Sequence, residues 1–204
     1  APAAAARALA DNDRPAATPG AARAHAGGEL AAAVAAVLGR LAMGGTRLEF
    51  EWRPRVDTSS PLRRDGQTVA FDAEGVEECV LLLAANPGEE PRPLARIASG
   101  GELSRVHLAL RTVLRGRHEA GGMTLLFDEV DSGLGGAAAA ALADLLADLA
   151  AVDQVLVVTH LPQVAARAAT HLRVEKVVKR GRAVTRVSAL TPVEREAEVA
   201  RMLA

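Results

Sequence analysis

The chain has 204 residues and a net charge of −1; half of its residues are hydrophobic, 2% are aromatic, and tyrosine is absent. A core must therefore come from Ala, Leu and Val, and neither a strongly basic nucleic-acid binder nor an aromatic platform for single strands fits, so any DNA contact must be a local patch. One cysteine, Cys79, excludes an internal disulfide and a cysteine zinc cluster, and fits a reducing cytoplasm.

Residues 1–28 are Ala-rich with scattered Pro, Gly and Arg and have no steady apolar period. They read as a mobile segment or linker, or as the end of a helix arriving from upstream. Leu30, Val34, Val37, Leu38 and Leu41 then line one face of an amphipathic helix over 29–42, which Gly44-Gly45 ends. "TRLEFEWRPRV" alternates as a half-buried strand, "SSPLRRDGQ" reads as a turn-rich loop, and "GVEECVLLLAANPGEEPRP" as a second strand and a loop. These two strands are expected to be antiparallel neighbours.

From residue 95 the rhythm becomes helix, strand, helix, strand. Leu103, Val106, Leu110, Val113 and Leu114 make a helix face; "MTLLFDEVD" and "DQVLVVTH" are short apolar strands; residues 135–150 and "LPQVAARAA" are helical between and after them. Two further strands meet at Lys179–Arg182, and a last helix carries Thr191 and Glu194 at capping-box spacing. Apolar strands alternating with helices predict an α/β fold with a largely parallel sheet covered by helices, plus antiparallel strands. Residues 29–204 read as one lobe. The Ala/Leu stretch at 134–152 is cut by Asp144 and Asp148, so no membrane span is expected. The chain starts with Ala and lacks a signal-peptide layout, which reads as a piece of a longer protein.

Three segments carry candidate chemistry. In "ASGGELSR", Ser99 and Glu102 have capping-box spacing, and Gly100 and Gly101 keep side chains away from the helix start. Free N–H groups and the helix dipole there can serve a simple cap or hold a phosphate. In "TLLFDEVD", Asp128 and Glu129 end an apolar strand, where ligands of parallel sheets bind. Alternation would send Asp128 toward a magnesium ion through its water shell and Glu129 toward an attacking water. The plainer reading is a solvated acid pair with Asp131 or Ser132 capping the next helix. In "VLVVTH", His160 ends the second apolar strand; it is a structural loop residue or, beside a nucleotide, a partner of the γ-phosphate or the attacking water. His107 and His171 are less suggestive.

In that order these segments resemble the signature, Walker B, D-loop and switch-histidine motifs in the C-terminal half of an ABC-type ATPase head. "IASGGELSR", "FDEVDSGLGG" and "VTHLPQVAARA" resemble most closely the RecN family of bacterial SMC-like DNA repair proteins, over residues 25–204. Glu102 and Ala98 replace the Gln and Leu of the general signature, as in that family. No G-x-x-x-x-G-K-[ST] occurs in the chain, and in such proteins that phosphate loop lies in an N-terminal lobe beyond a long coiled coil.

The resemblance implies half of a split head, with residues 1–28 a coiled-coil stub. It implies ATP and Mg²⁺ as cofactors, an N-terminal Walker A lobe and a second, identical head as partners, DNA as the large partner, and a cytoplasmic, nucleoid location. Ser99, Gly100, Gly101 and Glu102 would cap nucleotide held by the partner head. Asp128 would serve magnesium, Glu129 the water, Asp131 coupling across the interface and His160 sensing of the γ-phosphate. The other readings are a head fragment of a different SMC-like or ABC-type ATPase, and a non-hydrolysing assembly module. Two basic clusters, Lys176, Lys179, Arg180, Arg182 and Arg186, and Arg53, Arg55, Arg63 and Arg64, are phosphate contacts or merely solvated hairpins.

Overall fold

A computed structural model describes residues 17–64, 66–72, 75–96, 99–115, 122–179 and 182–203. The chain forms two compact units, Ala1–Gly39 with Met43–Ala98, and Arg40–Ala42 with Ser99–Ala204. Among the described residues no helix is long and apolar enough to cross a membrane.

The first unit opens with helix α1 (Ala17–Arg40). It starts well before the expected position, because an alanine-rich run has high helix propensity even where its apolar period is weak. The remainder of the expected mobile segment, residues 1–16, lies outside the described residues. Gly27 lets α1 approach the first strand closely: a Cβ there would sit 3.3 Å from Phe50 Cβ. Strands β1 (Arg47–Pro54) and β4 (Glu77–Ala84) pair antiparallel from Arg47↔Ala84 to Pro54↔Glu77, as the alternation predicts. The expected loop between them holds a small pairing of β2 (Arg63–Arg64) with β3 (Gln67–Thr68), continued by a Val56↔Val69 bridge. Strand β5 (Arg92–Pro93) pairs with β4, giving the order β1-β4-β5, and a 3₁₀ turn follows at Leu94–Arg96. Val34, Leu38, Leu48, Val69 and Leu83 are buried in this unit.

The second unit runs α2 (Gly100–Leu114), β6 (Thr124–Phe127), α3 (Gly136–Ala150), β7 (Gln154–Val157), α4 (Pro162–Arg167), β8 (Leu172–Lys179), β9 (Arg182–Ala189) and α5 (Pro192–Leu203). Strands β6 and β7 are parallel neighbours, in register from Thr124↔Gln154 to Phe127↔Val157. Helix α3 packs against β7, α2 and α4, and α4 against α5. Leu125, Phe127, Leu142, Leu145 and Leu149 are buried here, and Phe127 meets the His107 ring of α2 at 5.4 Å between centroids.

Two features differ from the sequence expectation. The parallel part among the described residues is a two-stranded pair, and the other pairings, including the β8–β9 hairpin, are antiparallel. Its cover is also one-sided: Leu126, Leu156 and Val158 are 64%, 45% and 59% exposed. Wholly apolar strands are suited to cover on both faces, and among the described residues only one face receives it.

Candidate functional site

The helix start is built as a cap. Ser99 has extended backbone, and its Oγ accepts the Glu102 N–H at 3.3 Å, the hydrogen bond of an N-cap serine. Gly100 is exposed and Gly101 buried. A Cβ on Gly101 would meet Ser132 Cβ at 3.0 Å and the Glu129 carbonyl oxygen at 3.1 Å, so glycine here lets α2 lie directly on the loop after β6. Ala98, part of the expected signature, lies outside the described residues.

That loop departs from strand geometry immediately. The β6–β7 ladder closes at Phe127↔Val157, and Asp128 and Glu129 lie beyond it. Glu129 has φ +56°, a left-handed conformation that costs a side-chain-bearing residue free energy and concentrates at functional sites. The expected alternation of the two carboxylates therefore does not apply, because it requires extended backbone. Asp128 Oδ1 accepts its neighbour's N–H, from Glu129 at 2.9 Å. The Glu129 carboxylate turns to the helix start instead: its Oε2 occupies the space where a Gly100 Cβ would lie, 2.5 Å from that position.

Asp131 is 3% exposed, and its Oδ2 gathers the Thr159 hydroxyl, the His160 backbone N–H at 3.0 Å and His160 Nδ1 at 3.2 Å. The expected coupling residue thus engages its own chain's histidine corner. The His160 side chain is 72% exposed beyond that contact. The structure accordingly brings Glu129 to Gly100 and Asp131 to His160, all at the carboxyl ends of β6 and β7.

Sequence reasoning missed three residues that hold this corner. Ser104 Oγ donates to the Asp128 carbonyl at 2.7 Å, and Arg105 Nη1 donates to the Ser132 carbonyl at 2.8 Å. Both tie α2 to the loop after β6. Thr159 is the third, through Asp131. Arg105 had a visible signal, a cation beside the apolar face of α2; it is nearly buried, and burial pulls its pKa below the ordinary value. Ser104 and Thr159 had none, since small hydroxyl residues are common in any helix or loop.

Among the described residues no three His, Cys, Asp or Glu side chains converge as a metal cluster. Asp128 alone suits a cation that keeps most of its water shell and takes other ligands from phosphate. Of the two basic clusters, Arg53 pairs with Glu51 at 2.6 Å, Arg55 with Asp72 at 2.7 Å, and Arg64 with Glu77 at 3.6 Å, which favours the solvated-hairpin reading there. In the other, Lys176, Arg182 and Arg186 are exposed, and Arg180 lies outside the described residues.

No protein-family model matches the chain. Curated relatives do. A DNA repair protein RecN of Deinococcus radiodurans is 56% identical over 131 residues, 64% of this chain and 22% of the relative. RecN of Streptomyces coelicolor is 47% identical over 183 residues, 90% of this chain and 32% of the relative. That of Mycobacterium tuberculosis is 42% identical over 187 residues, 89% of this chain and 32% of the relative. The chain belongs to the RecN family. It spans less than a third of the length of these RecN proteins. Solved structures place the fold: an Smc head domain from Pyrococcus yayanosii superposes with a TM-score of 0.52 at 19% identity, covering 86% of this chain and 29% of that one. One from Pyrococcus furiosus gives 0.50 at 18%, covering 85% and 37%. The RecN-family chain therefore has the α/β fold of an SMC head domain.

Proposed function

We propose that the chain is the C-terminal half of the ATPase head of a RecN-like protein of double-strand-break and recombinational repair. ATP sandwiched between two heads would be hydrolysed there to control DNA binding or bridging. The observation that carries this reading is the convergence of a glycine-opened helix start, the Glu129 carboxylate and the Asp131–His160 contact at the carboxyl ends of a parallel pair. The RecN relatives support it independently.

The residues fit half of a nucleotide site. Gly100 and Gly101 leave the start of α2 without side chains, and Asp128 suits a hydrated magnesium ion. The phosphate-cradling loop and its lysine are missing from this sequence, so an N-terminal Walker A lobe must contribute them. The bare face of β6 and β7, with Leu126, Leu156 and Val158, supports such a lobe as the missing cover. Magnesium-bound ATP brings the scissile phosphoanhydride and the charge that the metal offsets. Within the chain, Glu129 leaves Gly100 to polarise water, Asp131 and Thr159 hold His160, and Ser104 and Arg105 keep α2 locked to the strand end. Ser99, Gly100 and Gly101 offer N–H and hydroxyl donors to the γ-phosphate held by the second head, and Glu102 closes the first turn behind them. DNA, the homodimeric head partner, and a cytoplasmic, nucleoid location belong to the same proposal.

The test is ATP hydrolysis by this chain, alone and mixed with the separately made N-terminal half of its parent. Activity in the mixture alone, lost on Glu129→Gln, supports a split composite ATPase. No activity in a mixture shown to assemble and bind DNA counts against hydrolysis and for an assembly module.

A further inference from the structure

Glu129 stands at φ +56°, and glutamate has no preference for that region of the kind that glycine and asparagine have. A side-chain-bearing residue stays there only where its surroundings over-determine it. Helix α2 supplies those surroundings from both ends of the turn. At the near end, Ser104 Oγ donates to the Asp128 carbonyl at 2.7 Å; at the far end, Arg105 Nη1 donates to the Ser132 carbonyl at 2.8 Å. Between these anchors the Ser132 N–H closes the turn on the Glu129 carbonyl at 3.0 Å. A Cβ on Gly101 would lie 3.1 Å from that carbonyl oxygen and 3.3 Å from Arg105 Nη1, so helix, guanidinium and turn meet without spare room.

Arg105 is a costly residue for this place. It is 9% exposed, and burial holds its pKa below the ordinary value, against the opposing charge of Glu102. An apolar side chain of similar length would fill the same space without desolvating a charge, so packing alone does not call for a cation. What the guanidinium adds is a planar donor fork that reaches from α2 to the far end of the turn.

We propose that Arg105, with Ser104, is a positioning residue for hydrolysis: gripping both ends of the turn at 128–132 from α2, the pair holds Glu129 left-handed and so sets where its carboxylate can act on water. The effect on hydrolysis rests on the ATPase reading above; the effect on the backbone does not.

The experiment compares wild type, Arg105→Met and Ser104→Ala of the full-length parent protein in steady-state and single-turnover ATP hydrolysis. Arg105→Met is expected to lower kcat about 10²-fold, as a misplacement of roughly 1 Å does, with the KM for ATP unchanged. Ser104→Ala should do the same to a smaller extent. In a Glu129→Gln background, Arg105→Met should bring no further loss, because it acts through the carboxylate already removed. An unchanged kcat in Arg105→Met, a raised KM with kcat intact, or a full second loss on top of Glu129→Gln overturns the proposal. If Arg105→Met does not fold, Ser104→Ala must show the fall in kcat, and an unchanged kcat there overturns the proposal equally. A crystal structure of either variant reads the backbone without turnover. Residue 129 should leave the left-handed region, and a φ still at its wild-type value overturns the proposal. Absence of ATP hydrolysis by the wild-type full-length protein would instead sink the ATPase reading, and the φ of residue 129 would then decide the clamp.

Discussion

Two helices of the second unit begin with the same spacing, and their starts are finished differently. At α5, Glu194 Oε2 accepts both the Thr191 N–H and its hydroxyl at 2.8 Å, while Thr191 Oγ1 accepts the Glu194 N–H at 3.4 Å. That is a reciprocal capping box, followed by Pro192, which has no N–H to offer. At α2 the cap on show is a single contact, Ser99 Oγ with the Glu102 N–H, followed by two glycines that carry no side chain of their own. One start is closed by its own glutamate; the other is not, and on the proposed function it would receive an anion once Glu129 leaves it. The glutamate that reaches the open start comes from another element, Glu129. The same cap-to-glutamate spacing thus closes a reciprocal box at one helix start, while at the other it makes a single contact at the position that the proposed function gives to a phosphate.

The largest effect that sharpens this contrast concerns that glutamate. In the full-length protein, Glu129→Gln is expected to lower ATP hydrolysis about 10²- to 10⁴-fold, the usual loss for a positioned general base. ATP-dependent head association, followed by light scattering, should persist. Normal turnover would remove Glu129 from the base role.

The two glycines should separate next. Gly101→Ala drives a methyl into Ser132 and the Glu129 backbone, an overpacking that costs about 1–3 kcal/mol and should show as a lower urea midpoint. Gly100→Ala displaces only the far end of the Glu129 side chain, so its midpoint should stay within about 0.5 kcal/mol of wild type. If the proposed function holds, head association with ATP should nevertheless be lost, because the methyl would crowd the proposed phosphate position.

The caps themselves should then part by function. Thr191→Ala is expected to cost about 1 kcal/mol of stability in urea unfolding and to leave ATP-driven association intact. Ser99→Ala should cost no more stability, yet abolish that association. Equal effects of the two on association would erase the distinction between a closed and an open start.

The smallest effect concerns pH. Hydrogen bonding from Arg201 holds the Glu198 carboxyl below its ordinary value, against an opposing push from burial, with further help from Arg201, Arg173 and His171 charges. A lowered folded pKa stabilises above the unfolded value of 4.5 and is lost as pH falls through the folded one. The urea midpoint difference between wild type and Glu198→Gln should therefore shrink below a pH of about 4.5. A difference constant down to pH 3 would show that the charge is not what Glu198 contributes.

Much of this molecule was legible beforehand. Strand β1 was legible from its alternation, its antiparallel pairing with β4 was expected, and the closed cap of α5 follows from Thr191 and Glu194. The helical run back to Ala17 was not, since alanine carries propensity without period. Neither was the pairing of Arg63–Arg64 with Gln67–Thr68, which is too short to alternate.

By itself, the sequence determined which residue types could do chemistry and in what order. The glycines of the α2 start, the acids after β6 and the histidine after β7 are local features, each set by the end of its own element. Only the tertiary structure decided which of them meet. It ended β6 at Phe127, put Glu129 in a left-handed turn against Gly100, and buried Asp131 beneath Thr159 and His160. Those contacts join residues far apart in the chain, and they arise because a parallel pair must bring the ends of two separate strands to the same edge of the sheet.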